Sequence, residues 1–378
     1  MGPCRHDGLL IRTVFLIAFT AFGATAADDG FKQVTGPCRF SFPADHGPHT
    51  DYRTEWWYYT GNVTDGDNRR FGFQLTFFRS GLRPPDERKQ WPDPASAWRT
   101  DQIYLAHAAI SDIGGGRHLQ AERMARPVLS MAGVGQVGGM VTIHLHGWQA
   151  VIAPQGHRLQ ASADAFALAL DLTSDKPVVM HGDGGYSRKG ESSERASCYY
   201  SFTRLKAAGT LTVDGNHHEV QGSAWMDHEF STAPLQPGIA GWDWFGLQLS
   251  DRTELMIFLL RHGDGTLNPA SGGTFVAPSG RTQTLRPTDL RIQPLSHWTS
   301  PHSGARYPVK WRVAVVPLDL ELILRANLDD QEMRTPKSTN LVYWEGSVQA
   351  KGTRNEKAID GLGYVELTGY AQPFDAPM

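Results

Sequence analysis

Three short segments carry residues that could do chemistry together. Residues 222–229 (GSAWMDHE) place Asp227, His228 and Glu229 in a row, at what reads as the end of a strand. Residues 241–246 (GWDWFG) put Asp243 between Trp242 and Trp244, so on an extended chain both indoles face one way and the acid the other. Residues 54–62 (TEWWYYTGN) set Glu55 ahead of four aromatics, with Glu55, Trp57 and Tyr59 on one strand face and Trp56 and Tyr58 on the other. Acids beside indoles are suited to protonating an isolated alkene. A carboxyl of raised pKa delivers the proton, a dry pocket holds the tertiary cation, and a positioned water traps it. Each indole face stabilises such a cation by on the order of 1 to 2 kcal/mol when water is excluded. In this reading Asp227, His228 and Asp243 transfer the proton and position the water, and Glu55 is a reserve acid. Trp57, Tyr59, Trp242 and Trp244 line the pocket, with Trp56, Tyr58 and Tyr186 as further ligand contacts. A closed, indole-lined space would tend to keep Glu55 protonated.

The same residues allow two other readings. An aromatic-lined barrel could hold a lipid, terpenoid or polyketide, with the acids as a polar rim that orients it. Alternatively, the DHE and WDW segments could form a structural seam, with Asp227 paired to an arginine or to backbone amides. The enzyme reading requires Asp227, His228 and Asp243 to converge beside an apolar cavity.

Other motifs carry less. Gly133, Gly135 and Gly138 have GxGxxG spacing, but the β-like 140–145 follows where a pyrophosphate needs a helix N-terminus, so a turn is expected. No GxSxG nucleophile elbow occurs, which disfavours a serine hydrolase. His144 and His146 would share a strand face, more simply as satisfied or exposed histidines than as a metal pair. His46 and His49, in a Gly/Pro-rich stretch ahead of Glu55, read as a polar loop or as metal-binding or proton-transfer groups. No cofactor is required by any of these readings, and no metal site is assigned.

The elements that must position these residues are strands. Short β-branched and aromatic runs recur from 55–63 to 363–370, including 70–78, 102–110, 140–152, 196–205 and 219–225, and helical periodicity is scarce. Asp65-Gly66, Asp183-Gly184, Asp214-Gly215 and Asp264-Gly265 fall between apolar runs, as hairpin turns do. The spacing predicts antiparallel barrels or sandwiches, with a long loop over 80–100 and a domain boundary in the proline-containing 231–239. At 378 residues the chain is too long for one small core, and no solenoid or propeller repeat is visible. The 36 basic and 39 acidic residues leave no surplus to neutralise phosphates, which argues against a nucleic-acid partner. Arg5 and Arg12, the apolar 14–22 and Ala24-Thr25-Ala26 predict an export leader ending at 26, and no later run is long enough to span a membrane. Cys38 and Cys198 would then sit in an oxidising compartment, periplasm or medium, as a bridge or as two buried thiols.

The segments EWWYYTGN (55–62), GGYSRKG (184–190), SCYYSFTRL (197–205), AWMDHEF (224–230) and GWDWFGLQL (241–249), in this order and spacing, resemble the secreted AttH-like family, related to carotenoid 1,2-hydratases. The resemblance covers nearly the whole mature chain. It implies an all-β fold of two tandem antiparallel lipocalin-like (calycin) β-barrels, over 27–235 and 236–378, with a ligand site in or near their junction. It also implies a hydrophobic small-molecule partner, relatives that hydrate terpenoid double bonds or act as pericyclases, and an envelope permease as a potential companion. Phe230 stands where similar sequences commonly carry Trp.

Overall fold

A computed structural model describes residues 30–374 apart from 94, 95 and 234; the expected leader lies outside the described residues. The first sheet has thirteen antiparallel strands. They are β1 (Thr54–Asp65), β2 (Arg70–Gly81), β3 (Gln102–Asp112), β4 (Arg117–Ala125), β5 (Ala132–Val137), β6 (Met140–Leu145), β7 (Trp148–Ala153), β8 (Gly156–Ser162), β9 (Phe166–Ser174), β10 (Val179–Met180), β11 (Tyr186–Arg188), β12 (Ala196–Val213) and β13 (Asn216–Ser231). The second has ten. They are β14 (Ile239–Leu249), β15 (Glu254–His262), β16 (Gly272–Val276), β17 (Thr282–Leu285), β18 (Leu290–Thr299), β19 (Arg306–Val315), β20 (Leu320–Ala326), β21 (Glu332–Thr335), β22 (Leu341–Arg354) and β23 (Lys357–Leu367). Each sheet curls round its own core in the lipocalin-like manner, the first around Trp57, Phe73 and Trp148, the second around Phe245, Trp311 and Trp344.

The two sheets follow one plan. The strand order β4-β3-β2-β1-β13-β12-β9-β8-β7 is matched element for element by β17-β16-β15-β14-β23-β22-β20-β19-β18. Thus β14 holds the place of β1, β15 that of β2 and β23 that of β13, a repetition too diverged to leave a period in the sequence. Where the first sheet curls on itself, Arg123 of β4 donates to the carbonyls of His146 and Ser162 and lies 4.5 Å from the Trp148 ring.

Alternation accounts for the local detail. Strands β7 to β9 bury every second residue, as a sheet with one wet face must. Strand β1 and the adjoining halves of β12 and β13 are buried on both faces, because the second barrel covers what would be their outer side. Several expected boundaries move. Residues 140–152 form two strands, with His146 at φ 45° in the tight turn between them, so it does not share a strand face with His144. Gly133 and Gly135 lie within β5, and only Gly138 and Gly139 make the turn. Residues 196–213 are one long strand with a bulge between Phe202 and Leu205. Asp227, His228 and Glu229 do not end a strand, since β13 runs through them to Ser231.

Cys38 and Cys198 form a disulfide with a Cα–Cα distance of 5.8 Å, which ties the segment before β1 to β12 across 160 positions. Reduction, or Cys38→Ser, should therefore lower stability by about 2–5 kcal/mol, the range for a native bridge closing a long loop. Thermal melting with and without a thiol-free reductant reads this directly, and an unchanged midpoint would mean that the segment is held by its packing alone.

Candidate functional site

Strand alternation sends the predicted site residues to three different places. On β1, Glu55, Trp57 and Tyr59 point into the first barrel and Trp56 and Tyr58 toward the second. On β13, His228 points in with Met226, while Asp227 and Trp225 point out into the seam between the barrels. On β14, Trp242 and Trp244 face the seam and Asp243 faces the second barrel with Phe245. Asp227, His228 and Asp243 therefore do not converge. Neighbours on a regular strand cannot share a face, and β13 has no bulge at these residues against either partner strand.

The first group closes one end of the first barrel. Glu55 Oε2 accepts from Arg79 Nε at 2.8 Å, and Oε1 lies 2.8 Å from both His49 Nδ1 and His228 Nε2. His49 Nε2 reaches Asp45 Oδ1 at 3.1 Å. His228 Nδ1 lies 2.8 Å from the Tyr200 hydroxyl, which is 2.7 Å from His46 Nδ1. Trp57 stacks on His228 at 4.8 Å and Phe230 on His49 at 3.6 Å. The expectation that Glu55 stays protonated is wrong. Burial does push its pKa up, but the Arg79 charge and the bonds from His228 and His49 outweigh it and hold the carboxyl well below its ordinary value. Burial pushes His228 down, against the pull of Glu55, and brings His46 to about 4. This is an ionic cluster suited to holding charge.

The second group, in the seam, is suited to holding protons. Asp227 is buried between Tyr199, Ser201 and Trp225. Tyr199 donates to Oδ2 at 2.7 Å, Trp225 Nε1 to Oδ1 at 2.6 Å, and Ser201 also bonds Oδ1. Trp244 Nε1 donates to the Tyr199 hydroxyl at 3.2 Å. Across the seam Tyr58 donates to Glu345 Oε1 at 2.6 Å, and Glu345 is the cross-strand partner of Glu366. The nearby cation, Lys189, is 2.8 Å from Glu229 and lies over the rings of Tyr199 and Phe258. Burial therefore prevails: it raises Asp227 to about 7 despite its three donors, and burial with repulsion from neighbouring carboxylates, Glu366 and Asp227 on Glu345 and Asp227 and Glu229 on Glu366, keeps both glutamates above their ordinary range. Ser201 also lies 2.7 Å from His181 Nε2, whose pKa burial lowers to about 3. When Asp227 carries a proton on Oδ1, Ser201 can accept it and turn its own hydrogen to the neutral imidazole; when Asp227 is ionised, Ser201 donates back. The seam satisfies both protonation states.

Asp243 belongs to neither group. Arg261 Nε donates to it at 2.8 Å, Tyr370 donates at 3.2 Å, and the guanidinium lies 4.0 Å from the Tyr370 ring. Burial raises its pKa, with Arg261 pulling against that. An acid and an arginine thus pair on β14 and β15 as Glu55 and Arg79 do on the equivalent β1 and β2, but in a different register, since Arg79 is directly opposite Glu55 and Arg261 is opposite Gly241. Tyr186 packs near the disulfide and bonds the Ser193 carbonyl, outside both clusters. A surface cleft of about 610 Å³, lined by Trp91, Trp98, Arg83, Arg99 and Arg126 beside the loop after β2, contains none of the predicted residues.

Sequence reasoning missed Arg79, Tyr199, Tyr200, His181, Glu345 and Glu366. For the last two a signal existed. Each is a lone acid inside an otherwise apolar strand, VYWEGSV at 342–348 and GYVELTG at 363–369, a pattern that calls for a buried partner on the polar side.

Two lipocalin-like barrels clasped around a buried acidic seam define the class of protein. The sequence matches the AttH-like family over residues 33–370, and the chain belongs to that family. A crystal structure assigned as an AttH from Nitrosomonas europaea is 34% identical, with a TM-score of 0.79 over 90% of this chain and 100% of its own. Kievitone hydratase from Nectria haematococca is 15% identical, with a TM-score of 0.65 over 91% of this chain and 98% of its own. CghA with Sch210972 is also 15% identical, at 0.58 over 90% and 97%. These last two share the fold. No curated protein matches the sequence.

Proposed function

We propose that the protein binds an apolar small molecule where the seam between its barrels opens at Trp56, Trp242 and Phe258 and, because the predicted Asp227, His228 and Asp243 site does not form, protonates it from Asp227 alone, as a hydratase or lyase that needs no cofactor. The observation that carries this reading is the group of three carboxyls, the buried Asp227 and Glu345 and the half-buried Glu366, set among Tyr58, Tyr199, Trp225 and Trp244 and kept in their proton-holding range. Buried acids without matching cations lower stability, so a seam built for strength alone would favour apolar residues of the same volume. Trp56, Trp242 and Phe258 are only partly buried, which makes the seam's rim the natural entrance, and Phe374 lies against Trp242 there. In the reaction the Asp227 proton is transferred to one alkene carbon using the π pair, leaving a tertiary cation on the other. Trp225 and Trp244 turn their N–H edges to Asp227 and to the Tyr199 hydroxyl, so they hold the acid in place and border the site with their rings. Water then adds to the cation and returns a proton to the carboxylate, which restores the acid. The chemistry of the named hydratase supports this only by shared fold, and the residues carry the reading. The disulfide and the apolar leader support work outside the cytoplasm.

An acyclic terpenoid with trisubstituted double bonds is the test probe. Binding should quench indole fluorescence, and incubation in ¹⁸O-water should yield product carrying one labelled hydroxyl. Binding without label would leave a carrier, the reading in which the acids only orient the ligand. No quenching with any terpenoid or fatty-acid probe would defeat both.

A further inference from the structure

The cluster at the end of the first barrel has no part in the seam chemistry, yet its atoms are arranged as a metal centre would require. Among the described residues, His49, Glu55 and His228 are the group of three potential ligands whose donor atoms all lie within 4.8 Å of one another. We propose that His49 Nδ1, Glu55 Oε1 and His228 Nε2 bind one divalent transition ion of the zinc class, independently of the seam reading.

Three observations carry the proposal. First, the ligand set is two imidazoles and a carboxylate, which suits Zn²⁺ and its first-row neighbours and suits Mg²⁺ or Ca²⁺ poorly. Second, the far side of every ligand is already held. Asp45 is 3.1 Å from His49 Nε2, Tyr200 is 2.8 Å from His228 Nδ1, and Arg79 is 2.8 Å from Glu55 Oε2. Outer partners of this kind fix the tautomer and aim the free nitrogen at the metal. Metal binding needs His228 to carry its hydrogen on Nδ1, and Tyr200 can accept it while donating to the neutral His46 at 2.7 Å. Third, rigidity and access are divided among the ligands. Glu55 and His228 are fully buried on adjacent strands, whereas His49 lies in the segment leading into β1 and keeps 16% of its side-chain surface exposed.

The present separations test the fit. Both imidazole nitrogens sit 2.8 Å from Oε1, while ligand atoms in a tetrahedral site with bonds of 2.0–2.1 Å lie about 3.3 Å apart. The ligands must part by about half an ångström and give up the two protons now shared with Oε1. The His49 backbone is held, its N–H donating to Glu55 Oε1 at 3.1 Å and Oε2 at 3.0 Å and its carbonyl accepting from Arg79 at 3.0 Å, so the adjustment falls to rotation of its partly exposed ring. The stack of Phe230 on the His49 ring and of Trp57 on His228 would wall the ion on its apolar side.

The experiment uses the mature chain without a histidine tag, stripped with chelator and dialysed. Co²⁺ should give the visible absorption of a four-coordinate site at one ion per chain, and Zn²⁺ should displace it. His49→Ala should weaken Zn²⁺ binding at least about 100-fold, and Asp45→Asn, which touches no ligand atom, about 10-fold. Near-UV circular dichroism keeps loss of fold apart from loss of site. Wild-type protein that takes up no ion, or a folded His49→Ala that binds as tightly as wild type, would overturn the proposal. Neither result depends on any terpenoid, so failure here leaves the seam reading standing, and the reverse.

Discussion

Arg79→Met should cost about 3–5 kcal/mol of stability at pH 7, the effect of stripping one partner from a buried ion pair. Both side chains are fully buried, and Arg79 also donates to the carbonyls of His49 and Tyr52, so methionine fills the volume but leaves Glu55 charged and the N-terminal segment unanchored. The pH dependence separates charge from packing. Glu55 has a folded pKa below its unfolded one, so its contribution is present above about pH 4.5 and is lost as the pH falls through the folded value. In the variant, burial without Arg79 raises the same carboxyl. The gap between the two proteins should therefore be widest near neutrality and narrow toward pH 4. Urea denaturation at the two pH values measures it, and an equal loss at both would make the effect one of packing and anchoring.

Asp227→Asn should act in the opposite direction on stability. The unfolded chain releases this proton near pH 3.8, the native seam near 7. A raised folded pKa means that the wild-type protein loses stability as pH climbs through that window, by at most 1.36 kcal/mol per unit and on the order of 4 kcal/mol in all. The amide has no proton to lose, so the variant should escape this slope and be the more stable protein at pH 8, with little difference at pH 3.5. Proton transfer to an alkene, if Asp227 is the donor, should fall about 10²- to 10⁴-fold. A variant that is less stable at pH 8, with ligand binding intact, would instead make Asp227 an ionised structural acid, as the interface reading holds.

Much of this was legible from strand alternation alone. That Glu55 shares a face with Trp57 and Tyr59, and that Trp242 and Trp244 oppose Asp243, follows from a period of two, and the structure has both arrangements. The same rule, applied to 227–229, would have forbidden a joint role for Asp227 and His228; reading that segment as a strand end concealed the conflict. Arg79 was invisible because an arginine in RFGFQLTFFRSG looks like a strand terminus until its cross-strand partner is known to be Glu55.

The amino-acid sequence by itself determined the strands, most of their turns, the family and which side chains travel together on a face, because these depend on neighbours within a few residues. Only the tertiary structure decided which face became barrel interior and which became seam. That choice depends on a second barrel, whose Glu345 and Glu366 arrive from more than a hundred residues away to lie against β1 and β13. Its own burial in that seam turned Asp227 into a proton store, while Arg79 and two histidines turned the equally buried Glu55 into a fixed charge.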